Sequence, residues 1–159
     1  MRIFQYLRNH DILPTKETLI VELGCNDGRI LESFYRHGYK VLGIDLDANA
    51  LETARLMMPD GLFHAGDIRG FPVPQGSFII LRNVLPFLSS KDEVRDLLLP
   101  LKDHHMHFTL FGPEDERPKD CLVWTREEAE ALCKEIGAHI VEEFNGMGMS
   151  MSGQPRRTH

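Results

Sequence analysis

Residues Thr18 to Asp47 read TLIVELGCNDGRILESFYRHGYKVLGIDLD: an apolar run, a turn with two glycines, an amphipathic segment, and a second apolar run ending in acids. An apolar run of strand length followed by Gly24 and Gly28 and then a helical pattern is typical of the first βαβ half of a nucleotide-binding sheet. In such sheets the ligand lies at the carboxyl end of the strand. This stretch therefore predicts a doubly wound, mostly parallel α/β sheet with a ligand site at the turn.

The residues of this turn have mechanical roles that can be predicted. Gly24 lets the backbone turn sharply as it leaves the strand, and Gly28 lets the start of the helix approach a ligand without a Cβ in the way. Asn26 lies between them, and asparagine is the non-glycine residue that best tolerates a positive φ. Asp45 ends the second strand about 20 residues after Gly24, where a carboxylate accepts hydrogen bonds from the two hydroxyls of a ribose. Aspartate also favours plain turns and helix starts, so that reading of Asp45 stays open.

The glycines that the turn lacks help to define its ligand. A dinucleotide fingerprint Gly-x-Gly-x-x-Gly starting at Gly24 needs glycine at positions 26 and 29, where this chain has Asn26 and Arg29. A nicotinamide-dependent oxidoreductase is therefore disfavoured.

The segment ELGCNDG instead resembles motif I of class I S-adenosylmethionine-dependent methyltransferases, an acidic residue, any residue, then Gly-x-Gly-x-Gly. It matches at Glu22, Gly24 and Gly28 and departs at Asn26. The resemblance implies a Rossmann-like sheet that binds S-adenosylmethionine.

Later segments extend the resemblance in the expected order. GIDLD supplies Asp45 for the acid that ends strand two in that family, and LFHAGDIRG supplies Asp67, with Ile68 beside it, for the acid near the adenine. FIILRNVLPFL resembles the motif IV segment, a strand running into Arg82 and Asn83 and a short apolar helix. From HFTLFGPEDER onward the chain resembles small-molecule methyltransferases of the tellurite-resistance type. The resemblance covers roughly residues 16 to 159.

This resemblance implies a function and a set of site residues. We expect in-line methyl transfer from S-adenosyl-L-methionine to a small-molecule acceptor, with S-adenosyl-L-homocysteine as product and no catalytic residue assigned. In particular, Asn83 is expected near the methyl group. The implied cofactor-binding residues are Glu22, Gly24, Cys25, Asn26, Gly28, Asp45, Leu46, Asp67, Ile68 and Asn83.

Several residues have a plainer alternative. Glu22 either contacts the ligand or only orients the turn, since a buried acid needs partners in both cases. Asp67 either contacts the adenine or caps a loop. Arg29 is a secondary candidate for pairing with a ligand carboxylate, and an ordinary solvent-facing arginine otherwise. Of the histidines in His104–His107, only His105 and His107 can converge, because alternate residues share a strand face. Without a third spaced ligand we expect no metal, and either histidine is a candidate base or a sheet-edge residue.

Length and composition limit the remaining choices. A chain of 159 residues with 42% hydrophobic and 26% charged residues is predicted to form one soluble domain over residues 1–159. No apolar stretch reaches the ~20 residues of a membrane span, and the N-terminus lacks the apolar core of a signal peptide. Three cysteines without paired spacing favour free thiols and a cytoplasmic location. A net charge of −6 disfavours a nucleic-acid partner.

Apolar runs and capping signals predict six strands and four principal helices, after a short N-terminal helical segment over Ile3–Asn9 that we expect to form a flap. Capping boxes are expected at Ser90 with Glu93 and at Thr125 with Glu128. The predicted strands are Thr18–Leu23, Lys40–Asp45, Gly61–Ala65, Ser77–Leu81, His105–Phe111 and His139–Phe144. The predicted helices are Arg29–His37, Asn49–Met57, Lys91–Leu99 and Arg126–Ile136.

The end of the chain departs from the family pattern. Class I methyltransferases finish with an antiparallel strand seven beside strand six, and the chain runs out where that strand is expected. We therefore expect a missing or modified strand seven: either the tail from Met147 to Ser152 substitutes, or the chain is truncated, or an edge stays open and favours a homodimer. An open edge also motivates a second hypothesis, a catalytically silent S-adenosylmethionine-binding module that works through a partner.

Overall fold

The computed structural model describes residues 3–115, 117–144 and 148–152. Within it the chain forms two compact units, a first that ends at Ile79 and a second that begins at Ile80. The boundary falls inside one strand, Phe78–Leu81, so each unit contains half of that strand. The prediction of a single domain over residues 1–159 stays a prediction.

The first unit alternates helices with strands, as the sequence predicts. Its strand order is β3-β2-β1-β4, and the pairs β1–β2 and β2–β3 are parallel. Parallel strands joined by helices are the α/β arrangement predicted from the sequence. The elements are α1 (Ile3–Asn9), β1 (Ile20–Leu23), α2 (Arg29–Arg36), β2 (Val41–Asp45), α3 (Ala48–Met57), β3 (Leu62–Ala65) and the start of β4 (Phe78–Leu81).

Apolar burial explains why these segments form a core. All four residues of β1 are buried, as expected for a strand covered on both faces. Helix α1 packs onto α2 through Phe4, whose ring meets that of Phe34 edge-on with centroids 5.2 Å apart. Phe4 also stacks on His37 at 4.0 Å. The segment predicted as a flap is thus a packed helix of the first unit.

The second unit joins the end of β4 to an antiparallel pair of strands. Its strand order is β4-β5-β7-β6, and β7 pairs antiparallel with both β5 and β6. A short 3-10 turn, Leu85–Phe87, follows β4. The remaining elements are α4 (Lys91–Leu98), a 3-10 turn (Leu99–Leu101), β5 (His105–Leu110), α5 (Arg126–Ile136), β6 (His139–Phe144) and β7 (Gly148–Ser152).

Strand β7 decides among the alternatives for the expected missing or modified strand seven. Residues 148–152 form it, so the first of the three alternatives holds and the tail supplies the strand. Its register runs from His107 opposite Ser152 to Leu110 opposite Met149. In the described part of the chain β7 pairs with both β5 and β6, so no edge stays open between them, and the homodimer stays a prediction.

The two predicted capping boxes have different outcomes. Thr125 and Glu128 form the full box, with reciprocal bonds of 3.2 and 2.9 Å between side chains and backbone N–H groups. Ser90 accepts from the N–H of Glu93 as predicted, but the Glu93 carboxylate accepts instead from the backbone and side chain of Ser89. The helix start is capped, and the return bond has moved by one residue.

None of the helices that the structure describes is long and apolar enough to cross a membrane.

Candidate cofactor site after the first strands

The turn after β1 has the left-handed backbone that the sequence predicts. Gly24, Asn26 and Gly28 have φ angles of 80°, 50° and 80°. Asn26 therefore occupies the conformation that asparagine tolerates best among non-glycine residues, which confirms the prediction for that position. The N–H of Gly24 donates to the carbonyl of Ile44 at 2.8 Å, which ties the turn to the end of β2.

Gly28 has a role in packing that the sequence does not predict. It precedes α2, and a Cβ built on it would lie 2.6 Å from Met58 Cε and 3.1 Å from Ala54 Cβ. The missing side chain therefore makes room for α3, and the prediction that it also clears a ligand's path stays a prediction. No side chain caps α2 at Gly28, so its first N–H groups keep their capacity to bind an acceptor.

Asp45 lies at the carboxyl end of β2 and is held by two backbone donors. The N–H of Asn26 donates to Oδ2 at 2.8 Å, and the N–H of Asp47 donates to Oδ1 at 2.9 Å. A carboxylate oxygen has two acceptor positions, so each oxygen keeps one for another donor. Asp47 also caps α3, because its side chain accepts from two backbone N–H groups at the start of that helix. Asp45 is oriented and still has acceptor capacity.

Leu46 and Asp67 follow the carboxyl ends of two neighbouring parallel strands, β2 and β3, whose register puts Asp45 opposite Ala65. The side chain of Leu46 is 76% exposed, which is unusual for a leucine next to a strand end. Gly66 donates its N–H to the carbonyl of Asp45 at 2.9 Å. Ile68 is half-buried, so an exposed and a partly exposed apolar side chain follow the two strands.

The carboxylate of Asp67 is occupied by Arg69. The backbone N–H of Arg69 donates to Oδ1 at 2.9 Å, Nε contacts both oxygens at 3.0 and 3.1 Å, and Nη2 donates to Oδ2 at 2.7 Å. Three N–H groups of Arg69 make these four contacts, two on each oxygen, because the Nε–H is shared, and they occupy the about four acceptor positions of the carboxylate. The hydrogen bonds from Arg69 lower the pKa of Asp67 to about 2. Asp67 thus forms a turn with a bidentate ion pair, which the sequence analysis missed.

Two predicted site residues are directed into the protein. Glu22 is buried within β1. The Cys25 side chain is also buried, and a Cβ built on Gly43 would lie 2.6 Å from its Sγ. Burial, with the charges of Glu22 and Asp45, raises the pKa of the Cys25 thiol to about 12. Cys25 therefore has its backbone, rather than a reactive thiolate, available to a ligand.

Arg29 and the histidine pair are placed as follows. Arg29, at the start of α2, pairs with Asp27 at 2.8 Å, and its side chain is 83% exposed. His107 is buried, and burial together with the charge of Arg82 lowers its pKa to about 3. His105 is exposed. A histidine with so low a pKa is a poor base at neutral pH, which argues against that role for His107.

Asn83 lies in the second unit, directly after β4. It has a φ of 55°, and its N–H donates to the hydroxyl oxygen of buried Thr109 at 2.9 Å. Thr109 is 26 residues away in the chain, and no spacing rule connects the two positions. The sequence pattern therefore indicates Asn83 but not the threonine that holds it.

A glycine turn after β1 facing an acid at the end of β2 defines the Rossmann-like class of nucleotide-binding folds. The particular family follows from comparison with known sequences. A family model described as "Methyltransferase domain" matches residues 20–100, just over half of the chain, and the protein belongs to that family. The resemblance to class I methyltransferases is thus confirmed.

Solved structures show the same fold at low sequence identity. An S-adenosylmethionine-dependent methyltransferase from Mesorhizobium loti has a TM-score of 0.74 at 19% identity, over 96% of this chain and 97% of that one. An S-adenosylmethionine-bound amino pentose methyltransferase from Micromonospora echinaspora gives 0.73 at 19%, over 94% and 87%. A TehB-like methyltransferase from Corynebacterium glutamicum gives 0.68 at 20%, over 91% and 83%.

A curated relative matches a shorter segment. The ubiquinone biosynthesis O-methyltransferase of Nitrosococcus oceani is 44% identical over 52 residues, which make up 33% of this chain and 21% of that protein. The matched segment therefore spans about a fifth of the relative's length.

Proposed function

We propose that this protein is an S-adenosylmethionine-dependent methyltransferase that transfers the methyl group in line to a small-molecule acceptor. The observation that carries the proposal is the carboxylate of Asp45, which two backbone N–H groups hold in place while one acceptor position stays open on each oxygen. Two such positions on one rigid carboxylate match the two neighbouring hydroxyls of a ribose.

The turn from Gly24 to Gly28 would hold the methionine part of the cofactor through its backbone. Its left-handed residues turn the chain at the carboxyl end of β1, where ligands of open α/β sheets bind. The uncapped start of α2 favours a carboxylate there, because the first N–H groups of a helix attract negative charge. The buried side chains of Glu22 and Cys25 would act indirectly, by supporting the turn that contacts the cofactor.

The adenine would lie between the apolar side chains of Leu46 and Ile68. Burying the exposed surface of Leu46 against a flat base is favourable, since each Å² of apolar surface removed from water contributes about 25 cal/mol. Asp67 could accept a hydrogen bond from the adenine amino group only by giving up one from Arg69. We therefore assign base binding mainly to the two apolar residues.

Bound S-adenosylmethionine would supply a sulfonium that is already a good leaving group, so the chain's task is alignment and exclusion of water. A catalytic acid is not needed, and the low pKa of His107 does not argue against the reaction. Asn83, which the resemblance implies to lie near the methyl group, would contact the acceptor.

The acceptor class and the location are also proposals. A net charge of −6 disfavours nucleic acid, and the structural relative from Micromonospora echinaspora is described as an amino pentose methyltransferase. The cysteines Cys25, Cys121 and Cys133 are free thiols, as is usual in the reducing cytoplasm.

A thermal-shift titration tests the proposal, with S-adenosylmethionine and S-adenosylhomocysteine as ligands and NAD and ATP as controls. At ~100 times its dissociation constant a ligand adds about 2.7 kcal/mol, which raises the melting midpoint of a chain this long by roughly 5–10 °C. We expect this rise with the two adenosyl ligands only. A shift with NAD alone, or with none of the four on folded protein, would refute the cofactor assignment.

A further inference from the structure

Asn83 combines a left-handed backbone with two hydrogen bonds to one buried hydroxyl. Its φ of 55° is close to that of Asn26, in the left-handed region that asparagine tolerates better than other non-glycine residues. The hydroxyl of Thr109 accepts from the Asn83 N–H at 2.9 Å and donates to Oδ1 at 3.4 Å. One buried hydroxyl therefore fixes both the backbone and the side chain of Asn83.

This arrangement decides which end of the Asn83 amide faces outward. Thr109 is 1% exposed within β5, whereas Asn83 is exposed. Because Oδ1 is directed toward the buried hydroxyl, the Nδ2 group is left on the outer side. Across residues 3–115, 117–144 and 148–152, Nδ2 has no hydrogen-bond partner. Asn83 thus presents hydrogen-bond donors rather than an acceptor.

An exposed aromatic ring lies at the same end of β5. Phe87, four residues after Asn83, is 52% exposed and meets Phe111 edge-on with centroids 6.5 Å apart. Phe111 follows the last residue of β5, two positions after Thr109. The amide donor and the apolar ring are therefore both anchored to the carboxyl end of one strand, where α/β sheets bind ligands.

We propose that Thr109 is a positioning residue that holds Asn83 as a donor, and that the methyl acceptor carries its nucleophilic oxygen or sulfur on an apolar, ring-sized body. This inference rests on the proposed function. An anionic oxygen or sulfur has lone pairs for both the Asn83 N–H and the methyl carbon. A neutral amine has one lone pair, and a hydrogen bond from Asn83 withdraws it from the methyl carbon.

The electron balance of the step is simple. A lone pair of the acceptor's oxygen or sulfur anion forms the new bond to the methyl carbon. The bond between that carbon and the sulfonium breaks, and its electron pair stays on the sulfur of S-adenosylhomocysteine. Because the acceptor arrives as an anion, no proton has to leave, and the step requires no base from the protein.

The test is transfer of a radiolabelled methyl group from S-adenosylmethionine to thiophenol, phenol and aniline, which share one ring, with the enzyme-free reaction subtracted. We expect transfer to thiophenol or phenol to exceed transfer to aniline at least about tenfold. This is the size of the effect when the hydrogen bond from Asn83 to the acceptor atom is made or lost. Thr109→Val, which frees Oδ1 to accept from an amine, should reduce this ratio roughly fivefold or more, and Thr109→Ser should restore it. A purely structural role would lower transfer to all acceptors equally.

Three results would overturn the proposal: transfer to aniline that equals or exceeds the other two, no transfer to any, or a ratio unchanged in Thr109→Val. If that variant does not fold, Asn83→Asp replaces it, because aspartate tolerates the same backbone and turns an acceptor outward. Asn83→Asp should also shift transfer toward aniline, and an unchanged ratio of transfer to thiophenol or phenol over transfer to aniline would contradict the proposal. Thr53→Val, on the exposed face of α3, is the control. Calorimetry with S-adenosylhomocysteine separates the two proposals, since binding without the expected ratio contradicts only this one.

Discussion

Asp45 and Asp67 follow neighbouring parallel strands and are both aspartates at the carboxyl end, yet their carboxylates are in opposite states. Asp45 receives one backbone N–H on each oxygen and keeps an open position on both. Asp67 is filled by the backbone and guanidinium of Arg69. One carboxylate is ready for a ligand, and the other already has a partner.

The difference shows that the position of an acid in a fold and its availability are separate properties. Position follows from strand ends and turns, which the sequence makes visible. Availability depends on which donors reach each oxygen, and for Asp67 the donor is a side chain two residues further on. The comparison leads to four predictions.

The largest effect should come from Gly28→Ala, which breaks the turn that carries Asn26 to Asp45. A left-handed alanine costs about 1 kcal/mol or more, and crowding against Met58 and Ala54 adds about 1–3 kcal/mol, so we expect a loss of about 2–4 kcal/mol. Urea unfolding measures it. The matched control is Gly38→Ala, where φ is 85° and no atom lies within 4 Å of the built Cβ. Equal losses in the two variants would show that the packing against α3 is unimportant.

Asp45→Asn should weaken S-adenosylhomocysteine binding roughly 10- to 100-fold. The substitution replaces one carboxylate oxygen by an NH₂ group, so a charge-assisted hydrogen bond from a ribose hydroxyl is lost. Titration calorimetry gives the affinity, and the melting midpoint checks that the fold persists. Asp96→Asn, at an exposed position of α4, should change neither. Wild-type affinity in Asp45→Asn would end the ribose assignment.

Asp67→Asn should change the same affinity by less than about threefold, since the carboxylate that it removes has no acceptor position left for the adenine. The calorimetric protocol is that used for Asp45→Asn, so the two losses compare directly. A loss as large as that of Asp45→Asn would mean that Arg69 releases Asp67 when the cofactor binds.

The smallest effect should be a pH dependence seen in Arg69→Met. Arg69 lowers the pKa of Asp67 to about 2, whereas an aspartate of the unfolded chain has a pKa of about 3.9. Between these two pH values the folded chain binds fewer protons than the unfolded chain. The stabilisation is complete above the higher value and is lost as the pH falls toward 2. The difference in melting midpoint between wild type and variant should therefore shrink below about pH 4. Asp67→Asn removes the same titration and should give the same profile; a constant difference down to pH 2.5 would contradict the prediction.

Local signals predicted much of the fold. The six predicted strands appear within a few residues of their expected bounds, and α5 begins and ends as predicted. The backbone of Asn26 and the Thr125 capping box were also predictable, because each depends on residues only a few positions apart. Such short-range geometry follows from residue type and spacing.

Long-range geometry was not predictable in this way. Strand β7 lies in a segment rich in Gly, Ser and Met without apolar alternation, and its position is defined by pairing with β5 and β6. The packing of Gly28 against α3 was not predictable because that helix begins 20 residues further along. The hydroxyl of Thr109 lies beside Asn83 because β4 and β5 are neighbours in the sheet, a pairing that local spacing does not reveal.

The burial of Cys25 makes native labelling selective. Thiolates are the reactive form of cysteine, and burial raises the pKa of both Cys25 and Cys133 to about 12. Cys121 is only half-buried and lies between β5 and α5, in the same connection as Arg117. A maleimide dye applied to the folded protein should therefore attach at Cys121 without any cysteine being removed, and would report fluorescence changes from the connection that follows the proposed acceptor site.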